Sequence, residues 1–321
     1  MKKISVLVPC LNETDNVVPM AEALIEMFGK SLPEYDYEIL FIDNYSTDGT
    51  RDKLRLLCEK YHKVKAIFNI KNFGPVKSPV YGLLQTTGDC AIPMACDFQD
   101  PPDCVPKLVR LWEEGNKIVI AKKTRSKENP IIYLCRTMFY KIFNAIGNIE
   151  HIEHFTGFGL YDRTFLDTIG KLDDPMPYFR GLVTELGPPR AELEFVQPKR
   201  KSGKTKTNFF SLYDTAMLGF TSYSKAIPRF ATILGFIIGG ISILIALTYL
   251  VLKLMFWDSF PMGMIPLVCG VFFFGSVQLF FIGFIGEYIM SINQRVMKRP
   301  LVIEEERLNF TENEDETSRT V

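Results

Sequence analysis

ISVLVP (4–9), EILFID (38–43), VKAIFNI (64–70) and CAIPMAC (90–96) are the stretches that decide the fold. Each is a nearly continuous apolar run rather than an alternating one, as expected of a strand buried on both faces of a parallel sheet. Between them lie helical patterns over residues 16–28, 50–61 and 77–86, and another follows over 105–114. This β-α-β-α order predicts an open, mainly parallel α/β sheet wound by helices. Ligands of such sheets bind beyond the carboxyl ends of the strands. That rule points to residues 9–13, 43–50 and 97–103 before any motif is considered.

Outward from this unit, the chain changes character. Residues 230–252 carry no charge, and neither do residues 259–286. A helix of either length spans a hydrocarbon core of roughly 30 Å at about 1.5 Å per residue. Only residues 253–258 separate the runs, so a two-helix transmembrane hairpin is expected. Basic residues flank it on one side: Lys199, Arg200, Lys201, Lys204, Lys206, Lys225 and Arg229 before, and Arg295, Lys298 and Arg299 after. The intervening loop has only Lys253, offset by Asp258. Both termini are therefore expected in the cytoplasm. The N-terminal apolar run is too short for a signal peptide and reads as the first strand. The acidic tail from Glu304 onward reads as polar and mostly disordered.

The expected organisation is a cytoplasmic catalytic domain over 1–207, an amphipathic interfacial segment over 208–229, the hairpin over 230–290 and a cytoplasmic tail over 291–321. Lys+Arg and Asp+Glu both total 37. Nothing in that balance resembles the basic excess of a nucleic-acid binder. The seven cysteines fit no zinc spacing and read as buried reduced thiols of a cytosolic domain. His62, His151 and His154 have no metal-ligand spacing. Gln278, inside the second uncharged run, can hydrogen-bond across the hairpin or between protomers of a homo-oligomer.

The three strand ends are polar: Pro9, Asn12 and Glu13; then DNYSTDGT (43–50); then DFQDPP (97–102). Together with KNFGPVKSPVYGLLQTTGD (71–89), they resemble glycosyltransferase family 2, whose nucleotide-diphosphosugar transferase fold is the GT-A type. PYFRGLVTELG (177–187), PKRKSGKTK (198–206), GEYI (286–289) and KRP (298–300) resemble the polyprenyl-phosphate branch of that family. That branch includes bactoprenol glucosyl transferases and dolichol-phosphate mannose synthases. The resemblance covers roughly residues 4–303.

The resemblance implies the following roles. Pro9, Glu13 and Asp43 line the pocket for base and ribose of a nucleotide-sugar donor. Asp97 and Gln99 face the diphosphate through Mg²⁺ or Mn²⁺. Arg200, Lys204 and Lys206 meet phosphate groups near the membrane, with Lys123 and Arg125 in the same acceptor or phosphate-binding group. Arg180 sits toward the acceptor, and Asp97, Arg200 and Arg180 form the catalytic set. The implied activity is inverting, metal-dependent transfer of a hexose, from UDP by family analogy, to polyprenyl (undecaprenyl) phosphate at the inner membrane. Chemistry agrees with these roles. A divalent cation offsets charge on a departing nucleoside diphosphate, and one or two carboxylates suffice to hold it.

Two positions depart from the family pattern. Many relatives have a carboxylate where Ala95 stands, and an acidic residue and an Arg where HFTGFGLYDR (154–163) has Gly157 and Gly159. A family base is thus absent. A phosphate monoester, with a second pKa of about 6, is already a dianion near neutrality and needs no base. A hydroxyl acceptor needs one. Two other readings stay open: a membrane-bound transferase acting on a glycan hydroxyl, and a nucleotide-sugar-binding assembly subunit without catalysis.

Overall fold

The structure, a computed structural model, describes residues 1–125, 152, 155–198, 200, 214, 217–219, 221–223, 226–256 and 264–311. Lys204 and Lys206 lie outside the described residues, as does most of the interfacial segment over 208–229.

Strands β1 (Lys3–Cys10), β2 (Asp36–Asp43), β3 (Val64–Asn69) and β4 (Cys90–Pro93) alternate with helices α1 (Val17–Ser31), α2 (Thr50–Lys60) and α3 (Gly74–Leu84). Helix α4 (Val105–Glu113) leads to β5 (Ile118–Arg125). After residues outside the description come β6 (Phe155–Asp162), α5 (Arg163–Gly170), α6 (Phe179–Glu185) and β7 (Ala191–Val196). The long helices α7 (Ala226–Met255) and α8 (Met264–Val296) precede a last strand, β8 (Glu304–Leu308). The sheet has eight strands in the order β7-β5-β6-β4-β1-β2-β3-β8. β1 pairs parallel with β2 and β4, β2 with β3, and β5 with β7; β6 and β8 run antiparallel to their neighbours. This is the open, mainly parallel, helix-wound sheet that the apolar runs predict.

The apolar runs are continuous because both sheet faces are covered. Val6, Val8, Ile39 and Phe41 pack with Met20, Leu24 and Leu54 of α1 and α2. Leu7, Leu40 and Ile42 pack on the other face with Leu83, Phe165 and Leu182 of α3, α5 and α6. Cys10, Cys58, Cys90, Cys96 and Cys104 are free and buried. Burial pushes each of these thiols up, in line with inert core cysteines.

Two elements differ from expectation. The fourth strand stops at Pro93, and residues 94–96 belong to the loop that shapes the site. More consequentially, the tail is not disordered at Glu304: Glu304–Leu308 is an edge strand antiparallel to β3. Its charges are met by partners distant in sequence. Glu306 pairs with Arg55 at 2.8 Å, Tyr81 Oη donates to Glu304 at 2.9 Å, and Arg307 Nη2 donates to Gln85 at 2.9 Å. Asn309 Nδ2 donates to the Cys58 and Val64 carbonyls, both at 2.7 Å. A charged edge strand also blocks unwanted strand pairing.

Helices form over both uncharged runs. Among the described residues, one stretch, Phe273–Val296 of α8, is long and apolar enough to cross a membrane by length and composition. The end of α8 is tied to earlier parts of the chain: Arg295 Nη2 donates to Ser222 Oγ at 2.7 Å and Nε to Asp174 at 3.4 Å.

At the amino end of the sheet, away from the strand termini that carry the site motifs, Glu38 is 2% exposed. It accepts from Ser5 Oγ at 2.6 Å and from Thr87 N at 2.7 Å, and pairs with Lys3 at 2.8 Å and Lys65 at 2.9 Å. Burial alone would raise its pKa, but the Lys65 charge and the bonds from Lys3 and Ser5 outweigh it and hold the carboxyl at about 2. A folded pKa below the unfolded one stabilises the fold above the unfolded value of about 4.3, and that stability is lost as pH falls toward 2. Glu38→Gln is expected to cost about 3 kcal/mol at pH 7, or roughly 8 °C in melting temperature. The gap to wild type should shrink to about half as pH falls to about 3 and nearly close by about pH 2; melts of the detergent-solubilised chain check this, and a gap constant with pH contradicts it.

Candidate active site

Three loops at the carboxyl ends of β1, β2 and β4 carry the polar motifs, and each holds one non-glycine residue in the left-handed region. These are Asn12 at φ +53°, Tyr45 at +73° and Phe98 at +64°. Such conformations persist where surrounding contacts over-determine them, and they cluster at functional sites. Here the contacts are visible. Asn12 N donates to Ser46 Oγ at 2.7 Å and Thr47 N to Asn12 Oδ1 at 2.7 Å. Glu13 N donates to Thr50 Oγ1 at 2.9 Å, and Asp48 Oδ1 accepts from Thr50 N at 3.1 Å. The first two loops are thereby stitched into one wall.

The β4 loop is built by its own carboxylates. Asp97 Oδ1 accepts from Gln99 N at 3.0 Å, and Asp100 Oδ2 from Ala95 N at 2.9 Å. Asp97 Oδ2 accepts from Arg200 Nε at 2.6 Å, across 103 residues of chain. That ion pair is mostly buried, with side-chain exposures of 27% for Arg200 and 4% for Asp97.

These elements enclose a cavity of about 440 Å³, within the size range of small-molecule sites. Of the residues singled out in the sequence, Pro9, Glu13, Asp97, Gln99, Lys123, Arg180 and Arg200 all line it. Asp43 does not. It is fully buried, its Oδ2 drawn inward by Ser46 N at 3.0 Å and Arg51 Nε at 2.8 Å, while its Oδ1 has no hydrogen-bond partner among the described residues. Arg125 ends β5 opposite Val196 of β7.

Two lining features escaped the sequence reading. Asp100 lies on the cavity wall and is 7% exposed. Burial pushes its pKa up to about 6, against the opposing effects of the Ala95 N–H and the Lys123 charge. The QD pair at 99–100 was a signal, but its burial was not readable from one sequence. Tyr178 and Phe179, at the start of α6, add an aromatic wall.

The glycine departures have separate causes. A Cβ at Gly159 would lie 2.4 Å from the Val119 carbonyl, so close packing of β6 on β5 admits no side chain there. Gly157 lines the cavity at φ +104°, with Tyr161 Oη donating to its carbonyl at 2.8 Å. Nothing lies within 4 Å of a Cβ there, but the backbone conformation disfavours other residues.

Among the described residues no three His, Cys, Asp or Glu side chains cluster as a metal cage. A divalent cation carried by donor phosphates needs only one or two protein carboxylates. Asp97, with the Gln99 carboxamide on the same wall, fits that minimum.

Comparison with known proteins gives the family. The model of glycosyl transferase family 2 matches residues 5–170. The chain belongs to glycosyl transferase family 2. A prophage bactoprenol glucosyl transferase homolog of Escherichia coli (strain K12) is 29% identical, over 94% of this chain and 98% of its own. An SfII prophage-derived bactoprenol glucosyl transferase of Shigella flexneri is 31% identical over 94% and 97%. A putative glycosyltransferase, CsbB, of Bacillus subtilis (strain 168) is 31% identical over 92% and 89%. Among solved structures, the mannosyltransferase PcManGT of Pyrobaculum calidifontis, in complex with GDP-Man and Mn²⁺, aligns at TM-score 0.46 and 16% identity, covering 68% of this chain and 62% of that one.

Arg200→Lys keeps the charge but loses the planar fork and the Nε donor to Asp97. Turnover of the nucleotide sugar is expected to fall about 100-fold, while Lys201→Ala changes it less than about twofold. Equal, small effects of both substitutions in a donor-turnover assay contradict a site-specific role for Arg200.

Proposed function

We propose that this glycosyltransferase is anchored in the inner membrane and transfers a hexose, with inversion, from a nucleoside diphosphate, UDP by preference, to polyprenyl phosphate. The observation that carries the reading is the convergence of Asp97, Gln99, Lys123, Arg180 and Arg200 on one cavity at the strand ends. Relatives named for bactoprenol glucosyl transfer, aligned over nearly their full length, supply the acceptor class.

The reaction needs an acceptor phosphate oxygen to attack the anomeric carbon from the face opposite the diphosphate. The new C–O bond forms as the bond to the diphosphate breaks, and the electron pair leaves on the phosphate oxygen. Glu13 and Pro9 bound the donor end of the cavity, and Lys123, Arg180 and Arg200 bring positive charge to phosphate groups. Mg²⁺ or Mn²⁺, held by Asp97 and Gln99 together with the donor, would act as a Lewis acid on the leaving diphosphate. The acceptor dianion needs positioning and desolvation rather than deprotonation. Asp100 supports a second reading: a buried carboxyl with a pKa of about 6 suits a base for a glycan hydroxyl.

The test offers the purified chain a panel of nucleotide hexoses with undecaprenyl phosphate or with free glycans. A lipid product is expected from wild type, and Asp97→Asn should lower its rate by about 1000-fold. Glycan products alone move the assignment to the hydroxyl reading, and Asp97→Asn activity within about threefold of wild type sinks the metal role.

In membrane vesicles, with the seven native cysteines replaced, a Ser259→Cys variant is expected to react with an impermeant thiol reagent from outside. A Ser202→Cys variant should not. The opposite pattern overturns the cytoplasmic placement of the donor site.

A further inference from the structure

The strand that follows the membrane helix reaches the donor wall through an unbroken series of contacts. β8 joins β3 with Phe68 opposite Glu306 and Asn69 opposite Glu304, so one step on β3 answers two on β8. Glu305 is the extra residue of a β-bulge. In an unbulged strand Glu305 would face away from Glu306. The bulge re-aims it, and both glutamates reach α2: Glu305 to Arg51 at 2.8 Å and Glu306 to Arg55 at 2.8 Å.

Arg51 is held at three points: Nη1 by Glu305, Nη2 by the Asn69 carbonyl at 2.5 Å, and Nε by Asp43 Oδ2 at 2.8 Å. Asp43 Oδ2 in turn accepts from Ser46 N, and Ser46 Oγ from Asn12 N, next to Glu13 on the cavity wall. Asp43 Oδ1 is buried and without a partner among the described residues. An acceptor left so is costly unless something completes it. Asp43 is fully buried and off the cavity wall, so it acts on the site through the two loops it holds.

We propose that β8 is a working part of the donor site: Glu305 fixes Arg51, and Arg51 sets the Asp43 carboxylate and the two loops it organises for nucleoside binding. Glu305 and Arg51 are positioning residues, and the inference rests on the donor reading of this cavity given above. Because Ile70 N donates to the Ile303 carbonyl at 3.1 Å and Arg295 is tied to Ser222 and Asp174, the route runs directly from the exit of α8 to the nucleoside end.

The experiment measures binding of UDP, GDP and CDP to the full chain in detergent by calorimetry, and then donor and acceptor KM. Glu305→Gln is expected to weaken the tightest of the three about threefold, as suits a half-exposed pair, and Arg51→Lys about tenfold. The double variant should bind no more weakly than Arg51→Lys, since one route carries both effects. Donor KM should rise with acceptor KM unchanged. Glu306→Gln loses an equivalent strand contact without touching Arg51, and should bind like wild type with a melting temperature matching that of Glu305→Gln. Unchanged binding by Glu305→Gln, or equal weakening by Glu306→Gln, overturns the inference while the donor reading stands. A wild type that binds none of the three nucleotides removes the donor reading and this inference with it.

Discussion

The contact between Asp97 and Arg200 joins the end of β4 to the segment after β7, and the cavity has its shape because of it. Asp97 is 3% exposed, and a carboxylate so placed is stable only with partners. Gln99 N and Arg200 Nε are those partners. The same geometry brings a guanidinium and a carboxylate to one wall, so anionic phosphate and a cation that travels with it have complementary groups side by side. Lys123 and Arg180 extend the positive side, and the stitched β1 and β2 loops close the other.

Much of this was legible in the sequence for a physical reason. Strands covered on both faces must be apolar throughout, so ISVLVP and EILFID announced a parallel sheet, and the strand-end rule then located Glu13 and Asp97. What failed was local reading of charge. EEERL looks like solvated tail, yet its glutamates are satisfied by Arg51, Arg55 and Tyr81, more than 220 residues earlier. Periodicity within a window cannot register such partners. Burial is equally non-local: the pKa shift of Asp100 and the inward turn of Asp43 depend on what packs above them. The glycine at 159 was visible as a departure, but its cause, the Val119 carbonyl, lies on a neighbouring strand.

The acceptor question turns on protons. A side chain at Gly159 is excluded by packing, and Gly157 offers none, so neither position supplies a base. A phosphate acceptor makes that loss harmless, whereas a hydroxyl acceptor would throw the task on Asp100. The two chemistries leave different bonds in the product. The most direct measurement is therefore nuclear magnetic resonance of the product formed from an α-linked nucleotide hexose. The account predicts a β-linked glycosyl phosphodiester, with the anomeric proton coupled to phosphorus. A sugar joined through a hydroxyl, or an α-linked phosphodiester, contradicts it.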